Sequence, residues 1–243
     1  MNELDPVMMS PTRPPLSEPQ RQFLRASAAG VVLVLAAGLA LVGIDAALWL
    51  ALAGYGLGVG LVLVLLRRGY PHGRLGLCNR VTLARLALTA ALLAPLVGPA
   101  SAWVVPAIAV LALSLDGVDG WLARREDLCS EFGARFDMEV DSALALILAL
   151  NALVAGTAGW VVLLIGLPRY AFAAAGLAFP WLEGALPERF SRKAVCVAQI
   201  ATLIALQVPL VPTEVANPVV AAVALALIWS FGKDILWLRQ SRP

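Results

Sequence analysis

Half of the chain's 16 acidic residues fall between Asp116 and Asp141, in the stretch DGVDGWLARREDLCSEFGARFDMEVD. Asp116 and Asp119 are three residues apart, and Asp137 and Asp141 four apart, so on helices each pair shares one face. Apolar runs precede the first pair and follow the second. The pairs therefore belong to the facing ends of two neighbouring helices. Four carboxylates in such surroundings repel one another and lose hydration unless a cation neutralises them. A donor set of oxygens without His or Cys suits Mg²⁺ or Mn²⁺, and Mg²⁺ keeps positions open for substrate phosphates. Two such ions can clamp a diphosphate, which points to phosphoryl-transfer chemistry. Gly120 and Gly133 leave room for close approach, and Arg124, one turn after Gly120, offers a fork of donors to a phosphate.

A solvated loop capping two helices accounts for Arg125, Glu126, Asp127 and Glu131. It does not account for the four Asp residues, because an ionisable group against an apolar helix is functional by default. Arg169 raises the same question, since it follows Pro168 inside an apolar run. It is expected to meet an acceptor phosphate or lipid headgroup, or else to pair with a carboxylate such as Glu183 or one of the cluster. Arg192 and Lys193, by their place in the chain alone, suit simple topology-setting charge. Cys78, Cys129 and Cys196 lack metal-ligand spacing and have only His72 for company, so no zinc site is expected.

The elements that must position these residues are membrane helices. The chain has 243 residues, of which 60% are hydrophobic and only 14% charged. Its apolar runs are long enough to cross a hydrocarbon core of ~30 Å. Proline, glycine and charge clusters divide it into eight expected helices, near 27–43, 47–66, 81–97, 102–123, 136–156, 159–181, 192–210 and 216–238. Residues 1–26, rich in proline and without an apolar core, read as a mobile cytoplasmic tail. Residues 27–67 form an additional N-terminal hairpin, and 68–243 the main membrane domain. Lys and Arg occupy every second connection, which predicts that both termini and the acidic cluster face the cytoplasm. The expected fold is an all-α polytopic bundle of six core helices plus the hairpin.

Asp116, Asp119, Gly120, Ala123, Arg124, Gly133, Asp137 and Asp141 fill every fixed position of D-x2-D-G-x2-A-R-x8-G-x3-D-x3-D. The chain thus resembles the CDP-alcohol phosphotransferases, and a chance match is about 10⁻¹⁰ per starting point. The segment CNRVTLARL, with Asn79, Thr82 and Arg85, is similar to the family's stretch entering the first core helix. The resemblance, covering residues 74 to 238, implies transfer of a substituted phosphate from a CDP-alcohol to a second alcohol with release of CMP. It implies Asp116, Asp119, Asp137 and Asp141 as ligands of two Mg²⁺ or Mn²⁺ ions, with Asp141 also taking the proton from the attacking hydroxyl. Gly120, Ala123, Arg124, Gly133, Asn79 and Thr82 are then expected around the nucleotide, and Arg192 and Lys193, where family members often carry basic residues, are candidates for binding a phosphorylated acceptor, with topology-setting charge as the alternative.

Within this resemblance, the prokaryote-like small size implies CDP-diacylglycerol as donor and a bacterial inner membrane as location, within phospholipid biosynthesis. A CDP-choline or CDP-ethanolamine donor with diacylglycerol as acceptor is the alternative. After Asp141 the run SALALILALNAL matches neither a glycerophosphate-using nor a serine-using pattern, which leaves the small alcohol acceptor open. Membrane lipids and a second copy of the chain are expected partners, and nucleic acid is not. An ion or metal transporter would also place Asp and Arg in apolar helices, but it calls for a midplane site and inverted repeats that the chain lacks.

Overall fold

A computed structural model describes residues 16–184 and 189–240, together with the backbone but not the side chain of Glu183. Among them every regular element is helical, and no strand occurs. The first helix, α1 (Glu18–Val42), starts well ahead of the expected position 27. Gln20 reaches back to accept a hydrogen bond from the Ser17 backbone N–H at 3.0 Å, and Glu18 lies in the positively polarised first turn. The tail expected over residues 1–26 therefore gives up its last residues to α1, and residues 1–15 lie outside the described part. A tight turn at Gly43, whose φ of +70° favours glycine, leads into α2 (Leu48–Gly69).

The most deeply buried helix is α3 (Gly76–Ala91), which packs on α1, α2, α4 (Val104–Arg125) and α5 (Glu131–Val154). Its start presses against the connection between α4 and α5. Gly76 has a φ of +77°, and a Cβ there would stand 2.4 Å from Leu128 Cδ1. This is one place where only glycine fits.

The sixth expected helix is broken. A short turn and α6 (Leu163–Gly166) meet α7 (Pro168–Ala178) at a bend of 64°. Pro168 has no backbone N–H, and it disfavours helical geometry in Leu167 before it. In an apolar medium the carbonyls freed at such a break need partners. Gln199 of α8 (Phe190–Ala205) donates to the Ile165 carbonyl at 2.6 Å, and Asn151 does the same for Leu92 at the end of α3, at 2.8 Å. The last helix, α9 (Thr213–Gln240), returns along the bundle.

Eight full spans were expected. Among the described residues five spans (α1, α2, α3 with its continuation to Leu96, α4 and α9) are long and apolar enough to cross a membrane, or six counting the bent pair as one. Helix α5 falls short because Asp137, Glu139 and Asp141 occupy its first turns, and α8 is only 16 residues long. Large apolar side chains face outward along the bundle, among them Trp49, Leu57, Leu177 and Leu225. Such an outer surface suits lipid, and the fold is that of a polytopic membrane helix bundle.

Two apolar clusters fill the interior. One lies among α3, α4, α5 and α9. The other joins the hairpin to the core through Phe23, Tyr55, Leu83, Phe132 and Phe136.

Candidate active site

The site forms where the N-terminal half of α3, the C-terminal turns of α4 and the first turns of α5 converge. Asp116 and Asp119 come from α4, and Asp137 and Asp141 from α5. Helical periodicity turns each pair to one side, and packing of both helices on α3 brings the pairs together. One oxygen from each of Asp116, Asp119 and Asp137 lies within 4.8 Å of the others. Asp141 is not part of that group of three.

At the centre sits Arg85 of α3, only 1% exposed, and all four carboxylates reach it. Its Nη1 contacts Asp119 Oδ2 at 2.8 Å and also Asp137 Oδ1. Its Nη2 contacts Asp116 Oδ1 at 2.9 Å and also Asp141 Oδ1. The Nε donates to the Ala112 carbonyl at 3.2 Å. A guanidinium is always charged and presents its donors in a fixed plane, so it can order four carboxylates at once. One positive charge leaves three negative charges over. Arg85 also engages one oxygen per carboxylate, leaving the other free of these contacts.

That surplus is the test of whether a metal fits here. Three carboxylates gathered from two helices, each with an oxygen to spare, match the hard oxygen set that Mg²⁺ or Mn²⁺ takes. The side chains of Asp116, Asp137 and Asp141 are partly open, whereas Asp119 is buried. Thr82 donates to Asp119 Oδ2 at 3.0 Å, which fixes that buried carboxylate further.

Beside the carboxylates opens a cavity lined by Asn79, Thr82, Asp119, Gly120, Ala123, Arg124, Gly133 and Asp137, with Cys78 and Cys129 on its wall. All six residues expected around a nucleotide are on this list. A Cβ on Gly120 would meet only the Arg124 guanidinium, at 3.7 Å, so the glycine leaves space that a side chain would fill. On the opposite wall, Ser130 caps α5 by accepting from the Gly133 N–H at 3.1 Å. The positive N-terminal end of α5 thereby lies beside the cavity.

Of the charges between the pairs, Glu131 is solvated as expected and pairs with Arg135 on the surface. Glu126 is different. Its Oε2 accepts from the Leu77 N–H at 2.8 Å, capping the start of α3, where no residue of α3 itself does so. A carboxylate cap from another helix has no local signature and was not legible in the spacing.

The acceptor candidates lie elsewhere. Arg169, expected mid-helix, begins α7 after the break and pairs with Glu139 of α5 at 2.9 Å. Glu139 projects from the same helix as Asp137 and Asp141, which ties Arg169 to the site's edge; Glu183, its other suggested partner, has no described side chain. Arg192 stands 3.5 Å, and Arg189 3.8 Å, from Asp234, a buried carboxylate of α9. Lys193 follows Arg192 on α8. Neither Arg85 as the hub nor Asp234 was singled out from the sequence, although each is an ionisable residue within a long apolar run, which is the available signal.

Compared with known proteins, residues 75–231 match the family model described as CDP-alcohol phosphatidyltransferase. No curated protein and no solved structure matched the chain.

Proposed function

From the membership of this chain in the CDP-alcohol phosphatidyltransferase family, we propose that it moves a phosphatidyl group from CDP-diacylglycerol to a small alcohol and releases CMP. Transfer of a substituted phosphate from a CDP-alcohol to an alcohol follows from the family itself; the donor and the acceptor class are the proposal. The observation that carries the site assignment is the convergence of Asp116, Asp119, Asp137 and Asp141 beside a cavity lined by Gly120, Ala123 and Arg124.

Asp116, Asp119 and Asp137 would hold Mg²⁺ or Mn²⁺, whose charge, when bound, neutralises the diphosphate and the departing CMP. Asp141 stands outside that triad and is partly open, which suits a base. It takes the proton of the acceptor hydroxyl, whose oxygen then attacks the phosphorus that bears the diacylglycerol. The bond from that phosphorus to the bridging oxygen breaks, and the electron pair leaves with CMP. Arg85 keeps the four carboxylates in register, with its guanidinium in contact with each. Arg124 is placed to meet a nucleotide phosphate with its two-pronged donor face. Arg169, Arg192 and Lys193 are proposed on the acceptor side, and the site is proposed to face the cytoplasm.

The test uses purified protein with CDP-diacylglycerol and Mg²⁺ or Mn²⁺, presented in turn with glycerol 3-phosphate, inositol phosphate, serine and choline. Lipid products are followed by mass, together with CMP. Acceptor-dependent CMP release that stops with chelator and returns with metal is expected. Product formation only from CDP-choline or CDP-ethanolamine with diacylglycerol would transfer the reading to the other donor class. Absence of CMP release from every CDP-alcohol would defeat it.

A further inference from the structure

The hairpin α1–α2 lies outside the matched residues 75–231, yet it touches the site's walls. Phe23 of α1 is fully buried and meets Phe136 edge-on, with ring centroids 6.5 Å apart. Phe136 directly precedes Asp137. One residue back on α1, Gln22 Oε1 accepts from the Leu75 backbone N–H at 3.0 Å, and its Nε2 donates to Glu18. Leu75 is the residue on which α3 begins.

Tyr70, just after α2, joins this contact to the cavity. Its hydroxyl donates to the Arg74 carbonyl at 2.8 Å and accepts from Asn79 Nδ2 at 3.2 Å. Asn79 Nδ2 also donates to the Leu75 carbonyl at 2.6 Å. Both amide hydrogens of Asn79, which is 2% exposed, are thereby used. The carboxamide is fixed with Oδ1 toward Gly133, since a Cβ on that glycine would stand 3.5 Å from it. Asn79 and Gly133 both line the cavity. The Tyr70 ring is held edge-on to Phe132 at 5.2 Å and to His72 at 5.5 Å, so the hydroxyl has little freedom. Burial raises its pKa to about 12, and it keeps its proton as a donor.

We propose that the N-terminal hairpin is a positioning element for the donor site, with Tyr70 as the residue that orients Asn79 toward the nucleotide and Gln22 as the anchor that holds the start of α3. The proposal rests on the cavity being the nucleotide site. Tyr70 touches no reacting group; it sets the direction in which Asn79 presents its acceptor oxygen. An unfixed carboxamide can turn its amide hydrogens toward the ligand, and a misplaced polar group costs affinity.

The experiment uses the full-length protein in detergent, with CDP as probe because it is the part common to every CDP-alcohol. The Kd for CDP in the presence of Mg²⁺ is measured for wild type, Tyr70→Phe, Asn79→Ala and the double variant, alongside steady-state kinetics. Tyr70→Phe keeps the ring and loses only the hydroxyl. It is expected to weaken CDP and raise KM for the donor by roughly 5- to 20-fold, the effect of about one hydrogen bond. The turnover number and the KM for the acceptor should stay within about twofold of wild type. The double variant should bind CDP no more weakly than Asn79→Ala alone, because the hydroxyl acts through that side chain. Gln22→Met, which cuts the link to Leu75 at similar side-chain length, should move donor KM in the same direction and less.

Unchanged CDP binding in Tyr70→Phe, or additive losses in the double variant, would overturn the positioning role. A fall in turnover with both KM values shifted would do so too, as that is the mark of a general structural defect. If Asn79→Ala itself leaves CDP binding intact, the assignment of the cavity to the nucleotide fails instead, so the two failures are separable. Should Tyr70→Phe not fold, Gln22→Met carries the same comparison, and an unchanged donor KM there overturns the hairpin's role.

Discussion

Two charged clusters among the described residues of this bundle are built in opposite proportions. Around α3, one buried guanidinium, Arg85, is shared by four carboxylates. Between α8 and α9, one buried carboxylate, Asp234, is shared by Arg189 and Arg192. The first leaves carboxylate oxygens in excess at a partly open cavity, an arrangement that stays costly until cations arrive. The second matches a single buried anion with arginines about 30% exposed and held at 3.5 and 3.8 Å, which is looser and closer to water. Excess charge held in place marks the site where chemistry is expected. A carboxylate already satisfied by its neighbours joins two helices and sets the place of Arg192.

The comparison is most sharply tested at Asp141. Asp141→Asn keeps the size of the side chain and removes the base, so turnover should fall by about 10²- to 10⁴-fold while CDP binding in Mg²⁺ remains. Turnover near wild type would move the proton transfer to another group.

Arg85→Gln comes next. It strips the shared cation from four carboxylates, and breaking a buried pair of this kind costs about 3–5 kcal/mol. Thermal unfolding in detergent should show a much lower midpoint, and Mg²⁺ should raise that midpoint more than it does in wild type, because the ion then supplies the missing charge. An equal Mg²⁺ effect in the two proteins would mean that ion and guanidinium do not act on the same carboxylates.

Asp234→Asn is predicted to be milder. Its arginines can turn to solvent, so a loss of about 1–2 kcal/mol is expected, with the Kd for CDP in Mg²⁺ within about twofold of wild type. A loss of turnover as large as that of Asp141→Asn would erase the distinction between the clusters. The smallest effect is expected at Glu126→Gln. The amide retains an acceptor for the Leu77 N–H and gives up only its charge at the helix start, worth about 0.3–1 kcal/mol. Its unfolding midpoint, read against wild type at low and high salt, checks this, since the difference should shrink as salt rises.

Much of this molecule is visible in its residues before any folding is considered. Periods of three and four put Asp116 with Asp119 and Asp137 with Asp141, and Gly120 and Gly133 at matched offsets, because helix geometry is local and repeats every 3.6 residues. The apolar runs announce membrane helices for the same reason, since the length needed to cross lipid is counted along one segment. The break before α7 is another matter: Pro168 is its local cause, yet 159–181 reads as one helix, and an arginine at a helix start rather than in mid-span emerges only with the bend in view.

What tertiary structure decided is which distant groups complete those local patterns. Arg85 reaches Asp141 across 56 positions, Gln22 reaches Leu75 across 53, and Glu126 caps a helix 49 residues before it. No period along the chain encodes such pairings. They follow from which faces of α1, α3, α4 and α5 pack together, and that is settled by the summed burial and close fit of many apolar side chains. The four carboxylates could therefore be named from spacing alone, whereas the buried arginine among them and the hairpin that steadies their neighbours come only from the fold.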